Sequence, residues 1–354
     1  MFQLRIEDKI FTKTEDFLSD SSFQEAWAKA TIEFCGQWLS GEKEFKLKTS
    51  GSTGKPKLIS VTRGQMEASA KGTQNFLGTT YRTRIWNCLN PEFIAGKMNL
   101  VRAMVWGCSI YCEKPSNNPL EKSSDFLPTF TTLVPMQIDS LLSAPGKLSG
   151  LQHILIGGAP TDQNLRNKIA ESRIPAWQTF GMTETVSHFA MARITPFPLK
   201  YHVLPGTEIG VSDQDTLWVK SPMSNMESIQ SNDVVNVVSP TEFYWIGRSD
   251  FVVNSGGIKL HPEELESKIQ SILGKDFKNR FFLFGRKDPK LGERLCMLIE
   301  DSEGEVNIEQ TFQTIKDSLG SIQSPKKVFF LSEFEETQSG KLNRKATIAR
   351  LEKS

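Results

Sequence analysis

The regular alternation of apolar runs and helical patterns between residues 60 and 200 constrains this chain more than any other feature. Helical periodicity at Arg63 to Leu77 and at Met98 to Trp106 alternates with short apolar runs, Thr131-Thr132-Leu133-Val134 and His153-Ile154-Leu155-Ile156. Parallel strands need long crossovers, and helices of this length supply them, so the rhythm predicts an α/β domain. In such folds ligands gather outside the carboxyl ends of the strands. Gly157-Gly158-Ala159-Pro160 directly follows one apolar run, and Thr179-Phe180-Gly181-Met182-Thr183-Glu184 is expected to follow another.

On either side of this region the pattern differs. Upstream, Ser22 and Glu25 have the spacing of a capping box, and Phe23, Trp27, Ala30, Phe34 and Trp38 then recur at helical spacing as core-facing residues. From about 201 to 248 short strands with turn residues between them, such as Thr216 to Val219 and Phe243 to Ile246, predict a β-rich subdomain. After Gly247-Arg248-Ser249-Asp250 comes a compact α+β pattern. It comprises a helix from Pro262 to Leu273, strands at Arg280 to Phe284 and Leu295 to Ile299, a helix from Ile308 to Leu319 and a strand from Lys327 to Leu331. The expected organisation is a large N-terminal α/β domain over 1–248 and a small, mobile α+β domain over 249–354.

Composition excludes several partners. Forty-two basic against forty-one acidic residues leave a net charge of +1 over 354 residues, which gives no field for nucleic acid or an anionic membrane. No stretch approaches the ~20 apolar residues of a spanning helix. Five cysteines, odd in number and in apolar surroundings, fit reduced core thiols. Cys108 and Cys112 lack the close pairing and histidine partners of a zinc site. A cytoplasmic location is the expectation by elimination.

Residues 47 to 57, Leu-Lys-Thr-Ser-Gly-Ser-Thr-Gly-Lys-Pro-Lys, gather the means to hold phosphate in one loop. Gly51 and Gly54 let backbone N–H groups approach an anion, Thr49, Ser50, Ser52 and Thr53 add donors, and Lys55 and Lys57 add charge. It is not a Walker loop, because two residues rather than four separate the glycines and Pro56 follows Lys55. Taken alone the run also reads as a polar linker.

Four features stand in a fixed order. They are this loop, Phe-Gly-Met-Thr-Glu at 180 to 184, Gly-Arg-Ser-Asp with Ser-Gly-Gly-Ile-Lys-Leu-His-Pro-Glu-Glu-Leu-Glu within 247 to 266, and Gln-Ser-Gly-Lys-Leu-Asn-Arg-Lys at 338 to 345. The order resembles the adenylate-forming superfamily of acyl-CoA synthetases, adenylation domains and luciferases, and within it is most similar to the o-succinylbenzoate-CoA ligases of menaquinone biosynthesis. The resemblance implies a two-step reaction. A carboxylate attacks the α-phosphate of ATP to give an acyl-adenylate and pyrophosphate, and a thiol then displaces AMP.

Carried over residue by residue, Thr49, Ser50, Gly51, Ser52, Thr53, Gly54 and Lys57 would hold the β- and γ-phosphates. Thr183 would bind the α-phosphate and Glu184 the Mg²⁺. Phe180 and Gly181 would lie against adenine on one side, with Gly158, Ala159 and Pro160 lining the other. Asp233 and Arg248 would bind the ribose hydroxyls, although Ser231-Asn232 replaces the usual Thr-Gly before the aspartate. Asp250 would be the hinge of the small domain, and Gly256 and Gly257 would let the pantetheine arm of CoA pass close to backbone. Lys341 would stabilise charge in the adenylation transition state. Read singly, Phe180 is equally a core aromatic, Thr183-Glu184 a helix start, Asp233 a turn residue and the glycine pair a turn.

The acyl side is expected around Arg102, Phe93, Ser187 and His188. Arg102 lies six residues after Gly96, where o-succinylbenzoate-CoA ligases also carry an arginine, and a dicarboxylate substrate gives a buried guanidinium a purpose. The competing reading pairs it with a structural acid such as Glu92 or Glu113. Phe93 stands where the family usually has a histidine and would close the acyl pocket. Only 48 residues precede Thr49, so an N-terminal subdomain is expected to be largely missing. The small-molecule partners implied are a carboxylic acid, ATP, Mg²⁺ and CoA. The alternatives are another aryl- or acyl-CoA ligase, a carrier-protein-loading adenylation enzyme, or a non-catalytic nucleotide-binding protein.

Overall fold

The computed structural model describes residues 1–19, 23–48, 58–119, 126–274, 277–302, 304, 306–337 and 342–353. A thirteen-stranded sheet organises the first two thirds of the chain. From one edge to the other it runs Glu208–Val211, Thr216–Lys220, Ser228–Ser239, Glu242–Arg248, Lys200–Val203, His188–Arg193, Ala176–Gly181, His153–Ile156, Phe130–Leu133, Arg84–Asn87, Ser109–Cys112, Gln3–Ile6 and Lys9–Phe11. Neighbours from Ala176–Gly181 to Gln3–Ile6 pair parallel, and those from His188–Arg193 to Glu208–Val211 pair antiparallel. The change of direction falls between the two strands that bracket Met182 to Ser187.

The strand His153–Ile156 shows why its sequence is almost wholly apolar. Leu155 belongs to one core and Ile154 and Ile156 to another, so both faces are covered and polar alternation has no place. The helices Ala26–Leu39, Arg63–Leu77 and Ile94–Trp106 contribute to the first core, and Pro135–Leu142 and Gln163–Ser172 to the second. Trp106 donates its indole N–H to the Ala70 carbonyl at 2.9 Å, tying two of these helices together.

Two expectations are corrected. The β-rich stretch expected over 201–248 is present and extends the same sheet, but its strand Ser228–Ser239 is twelve residues long rather than short. The first long helix starts at Ala26 with Glu25 as its N-cap and no side-chain cap bond, and Ser22 lies outside the described residues. A reciprocal capping box occurs instead at Thr62 and Gln65: Thr62 Oγ1 accepts from the Gln65 N–H at 3.2 Å and Gln65 Oε1 from the Thr62 N–H at 2.9 Å. Trp27, Phe34 and Trp38 are buried as expected.

After Ser249–Phe251, a single helical turn, a second sheet begins. It runs Ile258–Leu260, Val253–Ser255, Gly292–Glu300 and Phe281–Asp288, and Lys327–Leu331 pairs parallel with Gly292–Glu300. Pro262–Leu273 and Ile308–Gln323 pack on one face through Leu265, Ile269 and Ile315, and Arg344–Leu351 packs on the other through Ile348 and Leu351. The strand expected to end at Phe284 continues to Asp288, because the hairpin keeps pairing through polar residues, Arg286 opposite Arg294 and Lys287 opposite Glu293. Gly320, at φ 73°, breaks the helix just past Leu319, where it was expected to stop.

Candidate active site

Two strand ends carry the residues expected on the nucleotide side. The strand His153–Ile156 runs into Gly157 to Pro160, and Ala176–Gly181 carries Phe180 and Gly181 within it rather than after its end. Gln178, 2% exposed, joins the two ends. Its Nε2 donates to the Ile156 and Ala159 carbonyls at 3.2 Å each, and its Oε1 accepts from the N–H and hydroxyl of Thr161 at 3.0 and 2.9 Å. Thr179 Oγ1 adds a bond to the Ile156 carbonyl at 3.0 Å, and a Cβ at Gly157 would lie 2.7 Å from that oxygen. Gly158 sits at φ 85°, a conformation that favours glycine.

Phe180 uses its ring against Phe189, Tyr201 and Phe243, with centroids 5.6, 5.1 and 5.3 Å away. It is nonetheless only partly buried, so it combines a core contact with an accessible surface. Gly181 packs against the backbone of Ser187 and His188, which leaves no room for a side chain. Thr183–Thr185 is a short 3₁₀ turn on which Glu184 is exposed and Thr185 fully buried. Thr185 Oγ1 donates within this turn, to the Met182 carbonyl at 3.0 Å or the Ser187 carbonyl at 2.8 Å.

The segment ends in a strained turn. Val186 has φ 62° and ψ −50°, and the Ser187 N–H donates across it to the Thr185 carbonyl at 2.6 Å. This is a γ-turn of the rare positive-φ kind, centred on a buried β-branched residue. It reverses the chain between the last parallel strand and the first antiparallel one, and sets Ser187 and His188 beside Gly181.

On the antiparallel half, Asp233 and Arg248 stand directly opposite each other in adjacent strands. Trp245 Nε1 donates to Asp233 Oδ1 at 3.0 Å, and the Asp233 N–H donates to Ser231 Oγ at 3.0 Å. Burial raises the Asp233 carboxyl above its ordinary value, opposed by the Trp245 hydrogen bond and Arg248. Arg248 Nη2 donates to Asp250 Oδ2 at 2.7 Å, and Asn232 Nδ2 to Asp250 Oδ1 at 3.1 Å. At Asp250 burial pushes upward, but these donors outweigh it and hold the carboxyl below its usual value. Gly256 and Gly257, at φ 59° and 81°, form the tight turn between Val253–Ser255 and Ile258–Leu260.

Of the residues expected on the acyl side, Arg102 and His188 lie in a buried polar cluster. Arg102 is 2% exposed, its Nη1 donates to Asn99 Oδ1 at 2.9 Å, and its Nε has no partner among the described residues. No ion pair to a structural acid is found for it there, Glu92 and Glu113 included. Burial lowers the guanidinium to about 9. His188, 5% exposed, is held well below its ordinary value by burial and by Arg102, so it is neutral. Both of its ring nitrogens meet hydroxyls. When the Thr73 hydroxyl donates to the Ser69 carbonyl at 3.0 Å it accepts from His188 Nε2, 3.1 Å away, the tautomer in which Nδ1 accepts from the Ser187 hydroxyl at 3.3 Å. Phe93 is the N-cap of the helix that carries Arg102 and is 50% exposed.

Thr49 to Lys57 and Lys341 lie outside the described residues. The strands flanking the loop, Glu44–Lys48 and Leu58–Thr62, pair with each other, with Lys48 opposite Leu58. Leu342, next to Lys341, bridges Glu336. Sequence reading missed Gln178, Thr73, Asn87, Asn99 and Thr132, whose partners come from distant strands. The one available signal was polar residues inside otherwise apolar elements.

The AMP-binding enzyme family matches residues 47–223. A 2-succinylbenzoate–CoA ligase of Lactococcus lactis is 24% identical over 364 residues, covering 96% of this chain and 79% of that protein. In solved structures, an acyl-CoA synthetase (AMP-forming)/AMP-acid ligase II-like protein from Dyadobacter fermentans is similar at 34% identity and TM-score 0.64, covering 96% of this chain and 99% of that one. The o-succinylbenzoate CoA synthetase of Bacillus subtilis, in complex with ATP and magnesium, shares the fold at TM-score 0.72 and 22% identity, covering 86% and 69%. Half of the chain thus matches the family directly and nearly all of it matches a 34% identical relative: this chain is a member of the AMP-binding enzyme family.

Proposed function

We propose that the chain is an ATP-dependent acid:CoA ligase that converts 2-succinylbenzoate, ATP and CoA into 2-succinylbenzoyl-CoA, AMP and pyrophosphate through an acyl-adenylate, the step used in menaquinone biosynthesis. The observation that carries the substrate is Arg102, a buried guanidinium with no carboxylate partner among the described residues. Isolating a cation this way costs several kcal/mol unless a ligand completes it. A dicarboxylate does so with the carboxylate that does not react, and the names of the curated relatives point to the same acid.

The remaining roles follow the family's order of motifs. Thr49, Ser50, Gly51, Ser52, Thr53, Gly54 and Lys57 take the β- and γ-phosphates. Thr183 takes the α-phosphate. Phe180 and Gly181 face adenine opposite Gly158, Ala159 and Pro160. Asp233, whose carboxylate is already held by Trp245, and Arg248 bind the ribose. Lys341 stabilises the adenylation transition state. One exposed carboxylate, Glu184, fits Mg²⁺, which needs few protein ligands and takes the rest from phosphates and water. The ion would neutralise phosphate charge.

The two units, 1–248 and 249–354, turn about Asp250, and Gly257 borders the path of the CoA arm. A cytoplasmic location suits ATP and CoA as substrates and the five buried, unpaired cysteines. Among the described residues no helix is long and apolar enough to cross a membrane. The reading is tested by ATP–pyrophosphate exchange, which isolates the first half-reaction. Exchange dependent on 2-succinylbenzoate supports it, and exchange that benzoate or a fatty acid drives equally well contradicts it.

A further inference from the structure

The feature of the acyl side that the family resemblance leaves unassigned is the support beneath Arg102. Asn99 lies one helical turn before it on the same face of Ile94–Trp106 and is fully buried. A guanidinium can only donate, so the Asn99 oxygen must face Arg102 Nη1 and its NH₂ must face away. The contacts agree: Asn99 Oδ1 accepts from Arg102 at 2.9 Å and from the Thr132 hydroxyl at 2.9 Å, and Nδ2 donates to Asn87 Oδ1 at 3.0 Å. Asn87 is fixed in turn, its Oδ1 accepting from the Leu89 N–H at 3.3 Å. Asn87 ends the strand Arg84–Asn87 and Thr132 lies on the adjacent strand Phe130–Leu133, so the amide is clamped between helix and sheet.

Every member of this support is neutral. The other titratable side chain beside Arg102, His188, is uncharged because of its burial. An aspartate would have nearly the shape of Asn99 and would form the strong charge-assisted pair that buried arginines usually have. The chain places an amide there instead.

We propose that Asn99 is a positioning residue for substrate selection: its neutral amide aims the Arg102 guanidinium without neutralising it, leaving the charge free for the unreacted carboxylate of the acid. The assignment rests on the dicarboxylate reading above and adds the residue that keeps the selecting charge available.

The test compares full-length wild type, Asn99→Asp and Asn99→Ala in thioester formation. The substrates are 2-succinylbenzoate and its analogue lacking the unreacted carboxylate. Asn99→Asp supplies an internal counterion, so the KM for the dicarboxylate is expected to rise about tenfold or more, with kcat and the KM for the monocarboxylate within about twofold. Asn99→Ala removes the aim but adds no charge, and is expected to raise the dicarboxylate KM by less. The ratio of the two KM values is taken within one preparation, so partial loss of folded protein leaves it unchanged. A dicarboxylate preference that survives Asn99→Asp, or an Asn99→Ala effect as large as that of Asn99→Asp, overturns the assignment alone. A wild type without that preference overturns the functional reading and the assignment together.

Discussion

Arg248 stands between two carboxylates: its Nη2 donates to Asp250 at 2.7 Å, and its Nη1 lies 4.0 Å from Asp233. The shorter contact is to the residue at the junction of the two sheets, the longer one to the carboxylate expected at the ribose. Its side chain is 38% exposed, so these pairs contribute at most about 1 kcal/mol to stability. Arg248→Ala is therefore predicted to leave thermal stability nearly unchanged while raising the KM for ATP about tenfold or more, as loss of a charge-assisted hydrogen bond would. Calorimetry and ATP-dependent kinetics together decide this, and a large drop in melting temperature with an unchanged KM would make the residue structural.

Glu263 gives a pH dependence. Its carboxylate is packed on Gly247, where an added Cβ would lie 2.6 Å from Oε2, an oxygen with no partner among the described residues. Burial raises its pKa from 4.5 to about 7, only partly offset by Arg344. A raised acid is stabilised in its protonated form, so its unfavourable contribution is absent below about pH 4.5, grows as pH rises toward 7 and is complete above it. Glu263→Gln should be more stable than wild type at pH 8 by on the order of 2 kcal/mol, a figure discounted for partial solvent screening, with the gain vanishing near pH 4, below the unfolded value. Denaturant melts at the two pH values check it. A gain that is the same at both would contradict the assigned cause.

Gly181 is predicted to be intolerant of any side chain. A Cβ there would collide with the backbone oxygen of Ser187 and with His188 Cα, and backbone atoms cannot swing aside as a flexible side chain can. Gly181→Ala should cost more than about 2 kcal/mol and lower the affinity for ATP, since the turn carrying Thr183 and Glu184 must shift. Retention of both wild-type stability and wild-type KM would show that the close approach is not required.

Lys341→Ala should abolish adenylation yet still allow preformed acyl-adenylate to react with CoA, because the lysine is assigned to the first transition state alone. Equal loss of both half-reactions, measured separately, would contradict that role.

Much of this is legible in the sequence. Arg63–Leu77, His153–Ile156 and Pro262–Leu273 have the limits read from their periodicity, because each buries a regular apolar pattern. The motif order led to the family for the same reason: chemistry demands residue types at set places. What was not legible depends on pairing between distant segments. Nothing local to Ser228–Ser239 says that it joins the sheet begun at Gln3–Ile6. The γ-turn at Val186 is hidden because a β-branched residue argues against positive φ. The Asn87, Asn99, Thr132 and Arg102 network draws on two strands and a helix, so no spacing rule exposes it. Phe180 packs as a core aromatic and keeps an accessible surface.

The most direct test of the central claim is ATP-dependent thioester formation with CoA across 2-succinylbenzoate, benzoate, fatty acids and amino acids, for wild type and Arg102→Ala. The account predicts the highest kcat/KM for 2-succinylbenzoate in the wild type, and loss of that preference through KM in Arg102→Ala with the monocarboxylates unaffected. A wild type that uses benzoate as well as 2-succinylbenzoate, or an Arg102→Ala variant that weakens all acids alike, would contradict it.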